Sequence, residues 1–156
     1  MMEAARPASR ADLPRLAELA RAAIEELRPT KGGELWARRE ARPEPVEESL
    51  AADLATDATL VLAGTIDDAV VGYAVARTET LLDGSLLARV TDLYAEPDAR
   101  EVGVGEALLE AVVKWATERR CVGIDSLVLP GNRETKNFFE SFGLVARAIV
   151  VHRPLP

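Results

Sequence analysis

The hydrophobic pattern between residues 58 and 97 constrains the fold of this chain more than any other feature. Three segments rich in Val, Leu, Thr and Tyr follow one another there, separated by the short turn signals "DD" and "LDG". They are "ATLVLAGTI", "AVVGYAVARTET" and "SLLARVTDLYAEP". Strand-like runs joined by such short turns predict three sequential antiparallel strands.

Helical patterns flank this meander on both sides. Before it, Ser9 begins a capping-box-like start, and apolar residues recur at helical spacing until Arg28-Pro29 ends the helix. "TKGGELWARREARPEP" predicts a loop, and "VEESLAADLAT" predicts a second helix. After the meander we expect a helix to about Arg120, a strand at "IDSLVLP", a short helix at "ETKNFFESFG" and a last strand at "LVARAIVVHRPL".

The predicted element order is therefore β-α-α-β-β-β-α-β-α-β, with residues 3–8 as the first strand. This order defines a mixed α/β domain whose sheet is mostly antiparallel and is flanked by helices. After the meander, the third helix crosses over to a strand that is predicted to pair parallel to the last strand of the meander. A chain of 156 residues without repeats or a linker-like segment is most simply one domain, spanning 1–156.

Charge and composition narrow the function classes. The net charge of −7 argues against a general nucleic-acid binder, which needs a basic footprint. Residues 43–110 hold 15 acidic and 3 basic side chains, a field that either attracts a cationic partner or simply keeps the surface solvated. No apolar run approaches a membrane span, the first residues lack the apolar core of a secretory signal, and the single Cys121 fits a reducing compartment. We expect a cytoplasmic protein.

A glycine pair, Gly103 and Gly105, stands where a helix is about to begin. Glycine costs a helix about 1 kcal/mol relative to alanine, so a structural or functional requirement should account for this pair. The first amides of a helix lack intrahelical partners and carry the positive end of its dipole, and bare glycines let a phosphate approach them. Arg100 can add a charge-assisted contact. The spacing is not that of a Lys-Ser/Thr phosphate loop, nor of the dinucleotide fingerprint, because Leu108 lies three residues after Gly105.

Two segments, "DLYAEPDAREVGVGEALL" and "LPGNRETKNFFESFGL", resemble motifs of the GNAT superfamily of acetyl-CoA-dependent N-acetyltransferases. The first is similar to the family's pyrophosphate motif, R/Q-x-x-G-x-G/A, and the second to its Asn, short helix and Phe/Tyr-rich turn. The resemblance covers nearly the whole chain. It implies direct transfer of an acetyl group from acetyl-CoA to a primary amine: a small cationic metabolite, an aminoglycoside-like compound, or a peptide or protein amine. The alternative is a non-catalytic acyl-CoA-binding module of the same fold.

The resemblance also implies which residues bind the coenzyme. In the family the fourth and fifth strands splay apart, which leaves main-chain groups free for the pantetheine arm. The implied set is Leu93, Tyr94 and Ala95 for that arm, Arg100, Val102, Gly103, Val104 and Gly105 for the pyrophosphate, Asn132 for a hydrogen bond to pantetheine, and Phe138 and Phe139 for the channel wall.

Two positions depart from the family pattern. Glu101 stands where glycine is usual, so its carboxylate must turn to water when a pyrophosphate binds. Phe139 stands where many members have a tyrosine that protonates the leaving thiolate, so the usual acid is absent. Asp92 shares a strand face with Tyr94 and is the first candidate base, with Glu79 second, although each is equally a solvated carboxylate. The Tyr94 hydroxyl is the candidate acid.

The remaining chemistry-bearing residues give weaker signals. His152, the only histidine, falls in the predicted last strand, where a structural or exposed role is the commoner one. The loop from Pro29 to Pro45 would flank the acceptor site by resemblance, and its arginines either contact an acidic group on the acceptor or lie on an ordinary surface. No spacing indicates a metal site. The family and the apolar run "AIVV" suggest a homodimer.

Overall fold

The computed structural model describes residues 2–156 and follows the predicted element order with two exceptions. The strands are β1 (Glu3–Pro7), β2 (Thr59–Ile66), β3 (Ala69–Thr80), β4 (Leu86–Ala95) and β5 (Ile124–Ser126). The helices are α1 (Leu13–Leu27), α2 (Gly33–Arg39), α3 (Val46–Leu54), α4 (Val104–Glu118) and α5 (Arg133–Ser141). Short 3₁₀ turns at Arg10–Asp12 and Pro97–Val102 precede α1 and α4.

The five strands form one sheet in the order β1-β2-β3-β4-β5. The first four pair antiparallel, as the meander predicted, and β5 pairs parallel to β4 after the crossover through α4. Helices α1 and α3 pack on one face and α4 packs on the other, so each face buries its own apolar core. None of the helices within residues 2–156 combines the length and apolarity needed to cross a bilayer.

Helix α2 is the first exception, because its residues were predicted as loop. Gly32 adopts a left-handed conformation with φ of 81° and starts the helix. The segment "GELWARR" then places Glu34 in the first turn and Arg38 and Arg39 in the last, which suits the helix dipole. These residues are good helix formers, and the preceding glycine pair concealed that signal.

The predicted last strand, residues 144–155, is the second exception: it has no regular secondary structure. The predicted strand at 124–130 is also shorter, since β5 ends at Ser126. Ile149, Val150 and Val151 are 81 to 89% exposed, so the β-propensity of this segment gains no burial within one chain. A strand needs a neighbour for its backbone groups, and this segment pairs with none among the described residues.

Two glycines of the sheet allow the first turn of α4 to pack closely against it. A Cβ atom at Gly64 of β2 would lie 2.7 Å from Val104 Cγ1. At Gly72 of β3 it would lie 3.2 Å from the same atom and 2.7 Å from the carbonyl oxygen of Tyr94. Val104 is fully buried against this bare backbone. The N-terminus of α4 is thereby fixed beside the end of β4.

Candidate functional site

A gap opens between β4 and β5. The two strands pair over only three residue pairs and then diverge, while β4 continues along β3 to its end. The carbonyl of Tyr94 lies against Gly72 of β3. Backbone groups alternate sides along a strand, so those of Leu93 and Ala95 face the gap. Leu93 therefore presents its N–H and carbonyl to an added extended chain, and Ala95 presents its N–H, since the Ala95 carbonyl accepts from Arg100 Nε.

The N-terminus of α4 lies next to this gap and has no side-chain cap. Gly103 is the N-cap, with φ of 93°, a conformation that favours glycine. The amides of Val104, Gly105 and Glu106 belong to the first turn and have no intrahelical acceptor. A Cβ atom at Gly105 would contact the ring of Phe138 at 3.5 Å, so this ring lies beside the bare turn. The arrangement suits an anion that approaches the helix end.

Arg100 is held by three neighbours. Its Nη2 lies 2.8 Å from both carboxylate oxygens of Glu26 in α1, and its Nε donates to the carbonyl of Ala95 at 2.9 Å. Its guanidinium lies 5.3 Å from the centre of the Tyr94 ring. The side chain therefore ties the loop before α4 to α1 and to the end of β4. Glu101 is exposed, as a loop that receives an anion requires.

The second motif forms α5. Asn132 caps this helix, accepting a hydrogen bond on Oδ1 from the backbone N–H of Thr135 at 3.3 Å, and its amide group keeps its own donors. Phe139 is 4% exposed and belongs to the core under α4. Phe138 is half-buried and packs against Phe139 and Phe142, with ring centres 5.6 and 5.3 Å away. Phe138 is thus the ring that faces the bare turn of α4.

A buried ionic network lies on the face of β4 that points away from α4. The Arg42 side chain, 5% exposed, donates to Asp92 through Nε and Nη2 at 3.0 and 2.7 Å. Its Nη1 donates to Asp53 at 2.7 Å and to Ser49 Oγ at 2.8 Å. Burial lowers the pKa of Arg42, but the hydrogen bonds and charges of the two aspartates outweigh it and raise that pKa overall.

Asp92 is fully engaged in this network. It accepts from both Arg42 nitrogens, from the Tyr73 hydroxyl at 2.7 Å and from the Thr91 hydroxyl at 2.7 Å. Burial, the charge of Asp92 and the hydrogen bond to it raise the pKa of Tyr73 well above its usual value. A carboxylate with four donors is better placed to orient its neighbours than to take a proton from an amine. A base role for Asp92 stays a prediction.

An irregularity at Thr91 changes which side chains share a face of β4. Val75 of β3 is opposite Asp92, and the next residue of β3 is opposite Val90, so Thr91 is an extra residue in β4. Arg89 and Asp92 therefore point to the same side despite their odd spacing. They line an open cleft of about 230 Å³ whose other lining residues are Glu40, Ala41, Arg42, Pro43, Ser49, Arg77 and Thr91.

Glu79 and His152, the other candidate catalytic residues, lie away from the gap and from the Arg42 network. Glu79 is exposed and opposite Leu87, near the far end of β3. His152 is exposed in the C-terminal segment. Within residues 2–156, no group of three or more His, Cys, Asp or Glu side chains is close enough to hold a metal ion.

A model of the acetyltransferase (GNAT) family matches residues 17–144, well over half of the chain. The chain belongs to the GNAT family. It is therefore an acetyl-CoA-dependent acyltransferase, and acetyl-CoA and an amine are the two substrates of such enzymes. The gap beside β4 and the bare turn of α4 are the parts of this GNAT domain that suit a long phosphate-bearing coenzyme.

Solved structures share the fold. The BH1408 protein from Bacillus halodurans, solved as a tetramutant, has a TM-score of 0.83 at 20% identity, covering 99% of this chain and 100% of that one. AAC(6')-Iy, in complex with the bisubstrate analog CoA-S-monomethyl-acetylneamine, has a TM-score of 0.76 at 18% identity, covering 100% and 99%. The aminoglycoside acetyltransferase meta-AAC0020 from an uncultured soil metagenomic sample, in complex with sisomicin, gives 0.73 at 19%, covering 99% and 95%. No curated protein sequence matches the chain.

Sequence reasoning missed the network around Arg42 in this GNAT domain. One signal was present, because Asp53 follows Val46 and Leu50 at helical spacing and so falls beside an apolar stripe. An acidic residue at such a position needs a buried partner. Nothing in the sequence identifies that partner as Arg42, nor adds Tyr73, because both choices depend on strand register.

The network gives a stability prediction. In Arg42→Met, Asp53 and Asp92 stay buried but lose their main partner, and we expect the free energy of unfolding to fall by about 3–5 kcal/mol. Urea unfolding followed by circular dichroism measures this. Arg21→Met is the matched control, since Arg21 also bonds two carboxylates, those of Glu44 and Glu47, but at the exposed surface.

The control variant should lose far less stability, because exposed ion pairs are screened by water. Equal losses in the two variants would mean that burial of the Arg42 network adds nothing.

Proposed function

We propose that this protein is an N-acetyltransferase that transfers the acetyl group of acetyl-CoA directly to a primary amine. The candidate acceptors are a small cationic metabolite, an aminoglycoside-like compound, and a peptide or protein amine. One observation carries the proposal: the diverging edge of β4 and the uncapped first turn of α4 are adjacent in space and in sequence. The single free Cys121 is compatible with a cytoplasmic enzyme.

The coenzyme would use both features at once. The backbone groups of Leu93 and Ala95 would pair with the pantetheine arm as an added strand pairs with a sheet edge. The amides of Val104 and Gly105 would bind the pyrophosphate at the positive end of α4. Arg100 already bonds Glu26, so it would act by holding the loop and the end of β4. Asn132 offers its amide donors from the start of α5.

In direct transfer, the neutral amine nitrogen attacks the thioester carbon, and the carbon–sulfur bond breaks as the amide bond forms. The amine loses a proton to water and the leaving thiolate gains one, so no covalent enzyme intermediate is needed. Backbone amides at the gap can polarise the carbonyl. Positioning of the two substrates then supplies much of the rate.

Tyr94 is the candidate proton donor, since Phe139 lacks a hydroxyl. Burial is the main reason that the pKa of Tyr94 is raised, and the charge of Glu26 adds to it. The phenol therefore stays protonated at neutral pH, which is the form that can protonate a thiolate. Arg100 packs against the ring and fixes its position.

The coenzyme site is tested with Gly105→Val. The added side chain covers the first-turn amides, so we expect the dissociation constant of coenzyme A to rise at least about tenfold, measured by calorimetry. Gly123→Val is the control, because Gly123 lies at the start of β5, where an added Cβ meets only Leu87 at 3.8 Å. Undiminished binding by Gly105→Val would refute the proposed phosphate site.

The reaction is tested by following thiol release from acetyl-CoA with a panel of primary amines. We expect Tyr94→Phe to lower kcat by about 10²-fold or more, the usual contribution of a general acid, with little change in the KM for acetyl-CoA. Because the pKa of Tyr94 is raised, wild-type activity should not lose its proton donor until well into alkaline pH, and the variant should lack that alkaline limb.

Tyr73→Phe is the matched control, because it removes the chain's other tyrosine hydroxyl, which is buried and bonds Asp92. It should lose stability more than turnover. An unchanged kcat in Tyr94→Phe would remove Tyr94 from the mechanism. Coenzyme binding without thiol release for any amine would instead favour a non-catalytic binding module.

We also infer that the enzyme is a homodimer in which a second copy covers the C-terminal segment. Arg147 pairs with Asp125 of β5, which brings residues 144–151 close to the outer edge of the sheet. That edge pairs with no strand among residues 2–156, and the apolar side chains of the segment are exposed. An exposed apolar segment beside an open sheet edge favours pairing between chains.

Light scattering coupled to gel filtration tests the dimer. We expect a dimer for the wild type and a monomer for Val150→Asp, because a charge at the centre of the segment opposes its burial. Leu82→Asp is the control, since Leu82 is fully exposed in the turn between β3 and β4. A monomeric wild type at working concentration would contradict the inference.

A further inference from the structure

Two arginines face each other directly in the cleft beside the Arg42 network. Arg77 of β3 is opposite Arg89 of β4 in the antiparallel register, and both line the cleft. Like charges at directly opposed positions of neighbouring strands repel each other and are destabilising. An anion bound between the two guanidinium groups would relieve this repulsion.

The carboxylates of the protein do not fully neutralise the positive charges of Arg77 and Arg89. Arg77 Nη2 lies 3.2 Å from both oxygens of Asp53, a carboxylate that already accepts from Arg42. The Nε of Arg77 is buried and has no hydrogen-bond partner among residues 2–156. Arg89 forms no ion pair within the described part of the chain. Arg42 and Arg77 therefore share the carboxylate of Asp53, and Arg42 is the arginine that bonds Asp92.

Two other acidic groups near the cleft already pair with arginines, whereas Glu44 and Glu48 line an adjoining cleft that shares Arg77. Glu40 lines the cleft and lies 3.6 Å from Arg39. Asp125 of β5 is opposite Arg89, but its carboxylate bonds Arg147 at 2.8 Å. The acidic composition of residues 43–110 thus does not make this cleft acidic.

The cleft adjoins the gap where transfer would occur. Asp92 lines the cleft, and Leu93, the next residue, presents its backbone to the gap between β4 and β5. Positions 89 and 93 are about 10–13 Å apart along the strand. An acceptor anchored at Arg89 can therefore extend its amine towards the gap. The cleft of about 230 Å³ has room for a small group such as a carboxylate, and it adjoins a second open cleft of about 480 Å³ that shares Pro43, Ser49 and Arg77.

We propose that the acceptor is a small amine that also carries a carboxylate, and that Arg77 and Arg89 bind this carboxylate in the cleft. The proposal rests on the N-acetyltransferase function proposed above and specifies its substrate class. A planar carboxylate matches the fork of a guanidinium and would satisfy the buried Nε of Arg77. Because Asp92 is bonded to Arg42 and Asp53 is shared by Arg42 and Arg77, the two carboxylates leave Arg89 without an ion pair within the described residues.

The test uses two matched series of amines. The first contains glycine, 4-aminobutanoate and 6-aminohexanoate, and the second contains the corresponding carboxamides. Binding to the protein saturated with coenzyme A is measured by calorimetry, and thiol release from acetyl-CoA is measured separately. We expect at least one amino acid to bind about tenfold or more tightly than its carboxamide, because only the acid forms charge-assisted hydrogen bonds.

Arg89→Gln should weaken binding of that amino acid by about 10- to 100-fold and leave the carboxamide unchanged. The main effect should be on KM rather than kcat, because Arg89 lies away from the reacting atoms. Lys114→Gln is the control: it removes one positive charge from the outer surface of α4, where the side chain is 80% exposed. Arg77→Gln provides a second variant, in which the affinity for the amino acid should also fall.

Equal affinity for acids and carboxamides, or equal losses for both in Arg89→Gln, would overturn the carboxylate site while leaving the acetyltransferase function intact. Binding of inorganic phosphate that depends on Arg89, with no binding of the amino acids, would also overturn it. Arginine-dependent binding of an amino acid without thiol release would instead support the site and contradict the proposed reaction.

Discussion

The close contact between the first turn of α4 and the bare backbone of β2 and β3 is the constraint on which the rest of the structure depends. Val104 packs where Gly64 and Gly72 have no side chains, so the helix end lies beside the end of β4. A larger residue at either glycine would push the helix away from the sheet. The first-turn amides and the diverging edge of β4 would then no longer adjoin. Tight packing thus sets the geometry that an anion-binding helix end requires.

On the side of β4 that points away from α4, a buried ionic network connects several elements. Arg42 comes from the loop after α2, Asp53 from α3 and Asp92 from β4, so one guanidinium joins three elements that are distant in sequence. A buried group of this kind contributes little net stability compared with an apolar replacement, but removing one member is costly. Here the network fixes the loop over the cleft and orients both carboxylates, of which Asp53 also accepts from Arg77.

The sequence was sufficient for most of the fold and for the position of the glycine pair at the start of α4. Local periodicity and turn signals predicted the meander, the crossover and the helix that begins at the glycine pair, because these depend on residues close in sequence. It was not sufficient for α2, where Gly32-Gly33 suggested a loop, or for residues 144–155, whose strand propensity has no partner within one chain. Tyr73 and Arg42 could not be assigned either, since their contacts with Asp92 depend on long-range register and packing.

The extra residue at Thr91 has a consequence for how relatives of this protein are aligned. It shifts the alternation of β4 by one position, so Val90 and Leu93 face α4 although their spacing is odd. If a homologue lacks the insertion and is aligned without a gap on residues 92–95, its side chain in the column of Arg89 projects to the α4 side of the sheet. An arginine in that column would then lie outside the cleft, so the length of β4 has to be compared before the amino-acid type is.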